Sequence, residues 1–296
     1  MTDAGASHGP LYELGRFLEI QNVGLNLPFA LAFLFLASGG LPSLWVVFLV
    51  VVAFVSARNA GHSFNRWADR DLDAANPRTR GRAIPSGRRS PASALAITAV
   101  SAAVLIGAAY LLNPLAFVLA PVALAIVLGY SYTKRYTVLT TPFLGFVEAV
   151  TPGAVFIAVQ GHLAPFVLLA VGGLLAWGTA FETVHSLGDL ESDRELHLRS
   201  LPERIGVLAS VRLVPILHAL ALGLLTLFGL ALELRLPYFA GLVGMALVAA
   251  ATDVRLARSP TASRLPFQRH FLMAGLFLAG VLVALFLPVG PHAPGL

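Results

Sequence analysis

The chain has 296 residues, of which 57% are hydrophobic and only 12% are charged, and its mean hydropathy is +0.80. Soluble globular proteins carry about twice this share of charge, so the composition indicates a membrane protein with several spans. The net charge of +5 fits the basic loops that orient membrane helices, and we do not expect a nucleic-acid partner. The absence of cysteine excludes disulfides, thiolate catalysis and cysteine ligands to a metal.

Apolar stretches recur along the chain at lengths close to the roughly 20 residues that a helix needs to cross a bilayer. The predicted spans are 23–38, 43–64, 91–112, 115–130, 140–159, 165–184, 211–232, 238–251 and 271–287. The first and the eighth are short and depend on flanking residues. The segment before the first span carries three acidic residues and little positive charge, which is not typical of a cleaved signal peptide. We therefore expect an all-α membrane protein with about nine transmembrane helices.

Basic residues alternate between the connections of these predicted spans. The connections after the second, fourth, sixth and eighth spans hold nearly all of the Lys and Arg, whereas the other connections hold only Arg235. Lys and Arg in short loops stay on the cytoplasmic side of a membrane. The alternation predicts a multi-pass protein of a prokaryotic inner membrane, with the N-terminus and the basic loops in the cytoplasm.

Two acidic motifs lie in the loops after the second and the sixth span. The first acidic motif (residues 65–73) holds Asn65, Asp69 and Asp73, and the second acidic motif (residues 189–193) holds Asp189 and Asp193. Residues four apart share one face of a helix, so each motif can present its oxygen atoms together. Loop charge alone explains neither this spacing nor its recurrence. The other acidic residues of these loops, Asp71, Glu191, Glu195 and Glu203, are expected to be ordinary solvated charges.

The two motifs lie 120 positions apart, and His185 stands at that same offset from Asn65. This offset predicts a duplicated unit of four helices, with halves at roughly 17–135 and 137–255 and a final helix at 268–288. Matched segments in two halves indicate a binding site at their interface. We expect all 296 residues to form one membrane domain.

Carboxylate and amide oxygens are ligands for hard divalent cations, and Mg²⁺ commonly binds one or two carboxylates together with substrate phosphates. Two facing acidic motifs could hold two Mg²⁺ ions with a diphosphate between them. Arg80, Arg82, Lys134 and Arg135 lie in the same basic loops and could neutralise the remaining phosphate oxygens. The predicted ligand is therefore an anion.

Three segments are similar to those of the UbiA superfamily of intramembrane aromatic prenyltransferases. FNRWADRDLDAANPRTRGRAIPSG (residues 64–87) resembles the first signature of that family, and YSYTKR (residues 130–135) resembles its Tyr-Ser-x-x-Lys-Arg segment. FETVHSLGDLESDRELHLRSLPERIG (residues 181–206) resembles the second signature. The resemblance covers the first seven spans well and the last two by hydropathy alone.

The resemblance implies nine helices around a central cavity, with cytoplasmic cap loops and a lateral opening to lipid. It also implies that two Mg²⁺ ions and the diphosphate of a polyprenyl donor bind to the two acidic motifs, beside Arg70, Lys134 and Arg135. The run from Asn76 to Arg82 is most similar to the 4-hydroxybenzoate polyprenyltransferase group. That group prenylates a small aromatic acceptor in ubiquinone or menaquinone synthesis.

The second signature departs from the family pattern at two positions. Glu182 stands where the family has Asp, and His185 stands where it has Tyr. Both lie within two helical turns of Asp189, so both could face the cavity and contact substrate. His185 could equally bond to a neighbouring backbone group. These departures concern the identity of the acceptor more than the type of reaction.

Polar residues within the predicted spans are costly in a bilayer and commonly face a helix-bundle interior. Arg58 could bind a carboxylate of the acceptor, or it could pair with Glu148 or Glu19 as a structural bridge. Asn22 and Asn26 could line the acceptor pocket, or they could join helices through hydrogen bonds.

Other functions fit parts of this pattern. The acceptor of a UbiA-type enzyme could instead be a naphthoate, a homogentisate or a lipid precursor. From a different class, an ion-coupled transporter also uses duplicated helices with intramembrane carboxylates. A transporter places its acids near the middle of the bilayer, whereas the two motifs lie at predicted helix ends beside Arg-rich loops. This position favours phosphate chemistry.

Overall fold

The computed structural model describes residues 10–18, 26–77, 79–137, 139–195, 199–260 and 266–287, and all regular secondary structure in this part of the chain is helical. The helices are α1 (Pro10–Phe17), α2 (Leu27–Ser38), α3 (Leu44–Ala68), α4 (Arg70–Ala75), α5 (Pro91–Leu112), α6 (Pro114–Tyr136), α7 (Thr140–Gln160), α8 (Val167–Glu195), α9 (Leu201–Ile205), α10 (Val207–Ala231), α11 (Leu236–Arg258) and α12 (Pro266–Phe286).

Eight helices within the described residues are long and apolar enough to cross a membrane, and α2 is a shorter apolar helix of 12 residues. This confirms the predicted all-α membrane fold. The eighth predicted span is not short, because α11 has 23 residues. The apolar run of this span ends before Asp253, where polar residues begin, so hydropathy underestimates the length of the helix. A helix can continue into the polar interface of a bilayer.

Helix α8 occupies the centre of the bundle. In its membrane-spanning part 72% of the residues are buried, against at most 39% in any other described span. It packs mainly against α7 and α10. The contact with α7 is close, because a Cβ atom added to Gly178 would lie 2.9 Å from the Cα atom of Gly145. The second acidic motif is thus carried by the most enclosed helix.

The hydrophobic core lies where α2 meets α7, α8, α10 and α12. Aromatic rings fill it: the centroid of Phe29 lies 4.8 Å from that of Trp177, and the centroid of Phe33 lies 5.5 Å from that of Phe277. Edge-to-face and tilted pairs of this kind stabilise packing beyond the area they bury. The core fixes α8 relative to the rest of the bundle.

The predicted duplication pairs α3 and α5 of one half with α8 and α10 of the other. In the structure α3 packs mainly against α5, and α8 packs against α10. A common origin of the two halves stays a prediction.

Candidate active site

A polar cavity of about 210 Å³ lies at one end of the bundle, between the ends of α3 and α8. We call it the acidic cavity. Its lining includes every residue of the two acidic motifs that the spacing selected: Asn65, Asp69, Asp73, Asp189 and Asp193. Side chains separated by more than a hundred positions in sequence therefore meet around one space.

The first acidic motif is built on a break between two helices. Helix α3 ends before Asp69, and the amide N–H of Asp73 then donates to the Asp69 carbonyl at 2.8 Å as α4 begins. Asn65 Nδ2 donates to Asp69 Oδ2 at 2.9 Å, and Arg82 Nη1 donates to Asp73 Oδ1 at 2.6 Å. Thr79 Oγ1 donates to the carbonyl oxygen of Asp73 at 3.1 Å. The side chains of this motif are thus oriented by neighbouring protein groups.

The second acidic motif lies on an uninterrupted helix. Helix α8 continues to Glu195, eleven residues beyond the predicted end of the span, so Asp189 and Asp193 follow one another by one turn. Both are half-buried. Carboxylates near the C-terminus of a helix face the negative end of its dipole. A bound cation would relieve this repulsion.

The oxygen atoms of the two motifs suit a divalent cation whose coordination a substrate would complete. Within the described residues, no three His, Asp or Glu side chains form a ready metal site by themselves. Asp73 Oδ2 is buried and has no hydrogen-bond partner in the described part of the chain. A buried carboxylate oxygen without a partner is costly unless a cation binds it. Magnesium suits such an open set, because phosphate oxygens and water can complete its coordination.

The predicted basic residues divide into two groups. Arg82 lines the acidic cavity, as does Arg199, which the sequence did not single out. Arg70 is not among the lining residues; its guanidinium lies 5.3 Å from the centroid of the Trp67 ring. Arg80 is exposed and lies outside the lining as well.

Three predicted residues can be placed only in part or not at all. Lys134 and Arg135 stand in the last turn of α6, and their side chains lie outside the described part of the structure. Asn22 lies outside the described residues.

Glu182 and His185 both line the acidic cavity, two turns and one turn respectively before Asp189 on α8. His185 Nδ1 lies 3.7 Å from Glu182 Oε2. The two departures from the family pattern are therefore in contact with each other and border the same space as the second acidic motif.

Several polar residues of the lining were missed by the sequence analysis: Asn76, Thr79, Tyr130, Thr140, Thr141, Ser186, Arg199 and Ser200. Ser186 could have been found, because it shares a helical face with Glu182 and Asp189. Tyr130 opens the YSYTKR segment and could have been found there. Thr141 is the second residue of α7 and carries no signal in the sequence.

A second cavity of about 350 Å³ adjoins the acidic cavity, and Asn65 and Tyr130 line both. We call it the apolar cavity. Its lining is mostly hydrophobic and comes from α3, α5, α6 and α7. The polar exceptions are Asn26, Arg58, His62, Asn65, Tyr130, Glu148 and Thr151. A polar chamber thus opens onto an apolar one.

The polar residues of the apolar cavity are partly engaged with the protein. Arg58 Nη1 donates to the carbonyl oxygen of Leu18 at 2.8 Å. Asn26 Nδ2 donates to Glu148 Oε1 at 3.1 Å, which joins α7 to the residue preceding α2. Within the described residues Glu148 therefore accepts a hydrogen bond from Asn26, and the pairing of Arg58 with Glu148 or Glu19 stays a prediction.

Solved structures share this architecture. The apo structure of a UbiA homologue from Aeropyrum pernix K1 is 29% identical and superposes with a TM-score of 0.81, over 89% of this chain and 98% of that one. A UbiA homologue from Archaeoglobus fulgidus bound to DMAPP and Mg²⁺ is 17% identical, with a TM-score of 0.74 over 92% of this chain and 99% of that one. The similarity to the Archaeoglobus fulgidus structure shows that the two proteins share a fold.

Proteins of similar sequence support the same family relationship. A 4-hydroxybenzoate octaprenyltransferase of Alkalilimnicola ehrlichii is 30% identical over 86% of this chain and 87% of its own length. The enzyme of that name from Alcanivorax borkumensis is 32% identical over 72% of this chain and 73% of its own length. The model of the UbiA prenyltransferase family matches residues 26–276. The chain therefore belongs to the UbiA prenyltransferase family and is a multi-pass membrane prenyltransferase.

Proposed function

We propose that the protein transfers a polyprenyl group from a polyprenyl diphosphate to 4-hydroxybenzoate, in a Mg²⁺-dependent step of ubiquinone or menaquinone synthesis. The observation that carries this proposal is the junction of the acidic and apolar cavities at Asn65 and Tyr130. A prenyl diphosphate has a charged head and an apolar tail, and the two cavities match these two parts. The relatives named 4-hydroxybenzoate octaprenyltransferase support the choice of acceptor.

The acidic cavity would bind the diphosphate through two Mg²⁺ ions held by the oxygen atoms of the two acidic motifs. When bound, Mg²⁺ neutralises the charge that develops on the leaving diphosphate. Arg82 and Arg199 line the same cavity and would bind phosphate oxygens through charge-assisted hydrogen bonds. Lys134 and Arg135 would also bind the diphosphate, as the resemblance implies. Arg70 and Arg80 do not line the cavity and would act at longer range.

The apolar cavity would hold the allylic carbon and the tail away from water. As the carbon–oxygen bond of the donor breaks, the diphosphate keeps the electron pair and an allylic cation forms. Hydrophobic side chains such as Val127 and Leu144 line this space and exclude water that would otherwise capture the cation. The acceptor ring then attacks ortho to its hydroxyl and loses a proton.

Arg58 would orient the acceptor from the side of the apolar cavity. A guanidinium is always charged and can bind a carboxylate through two parallel hydrogen bonds. This favours 4-hydroxybenzoate or a naphthoate over a lipid precursor that lacks a carboxylate. Asn22, Glu182 and His185 would contribute further contacts to the acceptor.

The proposed orientation places the acidic cavity on the cytoplasmic side of a prokaryotic inner membrane. The loop that follows α4 carries Arg80, Arg82, Arg88 and Arg89, the pattern of a cytoplasmic loop. The donor tail would then reach the apolar cavity from membrane lipid. The family membership favours this enzyme over the transporter that composition alone had left open.

An acceptor screen tests the proposal. Purified protein in detergent receives a long prenyl diphosphate and, in separate reactions, 4-hydroxybenzoate, a naphthoate or homogentisate, with and without Mg²⁺. We expect prenylated 4-hydroxybenzoate as the main product by mass spectrometry, and none without Mg²⁺. A faster reaction with another acceptor would contradict the choice of substrate while leaving the family assignment intact.

The variant Arg58→Leu tests the orientation of the acceptor. We expect the KM for 4-hydroxybenzoate to rise about tenfold, since a charged hydrogen bond is lost, while the KM for the donor changes little. Equal changes in both values would instead indicate a structural role for Arg58.

A further inference from the structure

Glu148 is a carboxylate on a membrane-spanning helix, and no step of the proposed reaction uses it. It lies on α7 and lines the apolar cavity. Its Oε2 atom is buried and has no hydrogen-bond partner in the described part of the chain. An ionisable side chain is costly within a membrane-spanning helix, and such residues commonly mark a functional site.

Two neighbours hold the carboxylate of Glu148 in place. Asn26 Nδ2 donates to its Oε1 atom at 3.1 Å. The Oε2 atom lies against Gly178 of α8, where the Cβ atom of any other residue would overlap it. Each oxygen of a carboxylate can accept two hydrogen bonds, so the bond from Asn26 leaves acceptor capacity for a ligand in the cavity.

Glu148 and Arg58 lie at a similar depth from the acidic cavity, on different helices. Arg58 stands seven residues before Asn65 on α3, and Glu148 stands seven residues after Thr141 on α7. Asn65 and Thr141 both line the acidic cavity, and seven residues span about 10 Å along a helix axis. Helices α3 and α7 make little direct contact with each other, and both border the apolar cavity. A cation and an anion therefore line this cavity from two helices at one level.

The two ends of 4-hydroxybenzoate carry groups that complement this pair. Its carboxylate suits the guanidinium of Arg58, and its hydroxyl group is a hydrogen-bond donor that suits a carboxylate. We propose that Glu148 binds the hydroxyl group of the acceptor and takes up its proton as the ring attacks the allylic cation. The inference rests on the proposed function, because it takes this acceptor as the ligand between Arg58 and Glu148.

Transfer of this proton removes the charge that the attack creates on the ring. When the ring carbon next to the hydroxyl group bonds to the allylic carbon, positive charge spreads to the hydroxyl oxygen. The O–H proton passes to Glu148, and a neutral dienone remains. The ring carbon then loses its hydrogen as a proton to the released diphosphate, while Glu148 returns its proton to the oxygen and the aromatic ring is restored. A positioned general base typically accelerates a reaction by about a hundredfold or more.

The variant Glu148→Gln tests this role, because glutamine keeps the size of the side chain and an oxygen for Asn26 but does not take up a proton. We expect kcat for 4-hydroxybenzoate to fall about a hundredfold, while the KM for the donor stays within about twofold. The matched control is Glu233→Gln, because Glu233 is exposed and lines neither cavity. The control should keep full activity.

Binding of acceptor analogues separates the hydroxyl end of the ligand from its carboxylate end. The affinities of 4-hydroxybenzoate and benzoate are measured by calorimetry with Mg²⁺ and an unreactive prenyl diphosphate analogue. We expect the unmodified protein to bind 4-hydroxybenzoate about thirtyfold more tightly than benzoate, and Glu148→Gln to lower this ratio about tenfold. In Arg58→Leu both ligands should bind more weakly by the same factor, so the ratio should stay constant.

The outcomes distinguish this inference from the proposed function. An unchanged kcat in Glu148→Gln would overturn the inference, because Glu148 would then serve only to join α7 to Asn26. Equal losses of affinity for 4-hydroxybenzoate and benzoate would also overturn it, since Glu148 would then act on the carboxylate end through Arg58. Absence of prenylated 4-hydroxybenzoate with the unmodified protein would instead overturn the proposed function.

Discussion

The aspartates of the first acidic motif are buried at a break between two helices, whereas those of the second are half-buried on one continuous helix. Asp69 and Asp73 are 1% and 5% exposed, and Arg82 and Thr79 fix the position of Asp73. Asp189 and Asp193 are half-buried on α8. Aspartates at the same spacing thus reach the cavity from two different backbone structures, a helix break and a continuous helix.

This difference affects how each motif reaches the geometry that binds a cation. The first motif is preorganised, because its hydrogen bonds and its salt bridge exist before a substrate arrives, and such order lowers the entropy lost on binding. The second motif places two carboxylates near the C-terminus of α8, where the helix dipole disfavours them. We infer that bound cations offset this unfavourable interaction.

The largest expected effect is the loss of one carboxylate charge from either motif. Asp69→Asn and Asp189→Asn keep the size of the side chain and remove the charge that binds a cation. We expect kcat/KM to fall about a thousandfold in each, since a preorganised electrostatic contact is lost. The measurement is product formation by mass spectrometry across a series of Mg²⁺ concentrations.

Each motif contains its own control for this experiment. Asp71 and Glu191 are exposed acidic residues within the two segments, and Asp71→Asn and Glu191→Gln should retain nearly full activity. Full activity in Asp189→Asn would contradict a cation site shared by both motifs, because only the first motif would then bind the cation.

The salt bridge of the first motif should matter for stability as well as for activity. Arg82→Gln leaves the largely buried Asp73 without its cation partner, and we expect the free energy of unfolding to fall by about 2 kcal/mol. Arg80→Gln, at an exposed position in the same loop, should cost almost nothing. Thermal unfolding in detergent measures both, and equal stability of the two variants would contradict the preorganisation of the first motif.

Ligand binding should order the second motif more than the first. We expect Mg²⁺ with an unreactive prenyl diphosphate analogue to slow amide hydrogen exchange about tenfold in residues 186–195, and less in residues 69–76. Exchange followed by mass spectrometry gives both values in one sample. Stronger protection of residues 69–76 than of residues 186–195 would indicate that the second motif is the preorganised one.

The sequence predicts the parts of this site that local rules control. Spacing of four predicted that Asp69 and Asp73 lie together and that Asp189 and Asp193 do, and the structure shows all four on one cavity, with the first pair across the break between α3 and α4. Helix ends were less predictable, because α8 continues to Glu195 well past its apolar residues. Hydropathy marks the membrane but not the end of a helix.

Contacts between segments that are far apart in the chain could not be predicted from the sequence. Arg80 and Arg82 are two residues apart in one basic loop, and only Arg82 reaches the acidic cavity, because the turns after α4 direct these side chains differently. Arg199 reaches the cavity from another loop, and its Nη1 atom donates to the carbonyl oxygen of Tyr136. Such geometry depends on the whole fold.

The smallest expected effect concerns the departures from the family pattern beside the second motif. His185→Tyr restores the usual family residue and changes one hydrogen-bonding group, so we expect the KM for 4-hydroxybenzoate to change about threefold. The Mg²⁺ concentration for half-maximal activity should stay constant, because His185 would contact the acceptor and not the cation. The exposed His162 supplies the control variant His162→Tyr. A shift of the Mg²⁺ requirement as large as that in Asp189→Asn would extend the cation site to His185, so the second motif would then contain an imidazole that the first lacks.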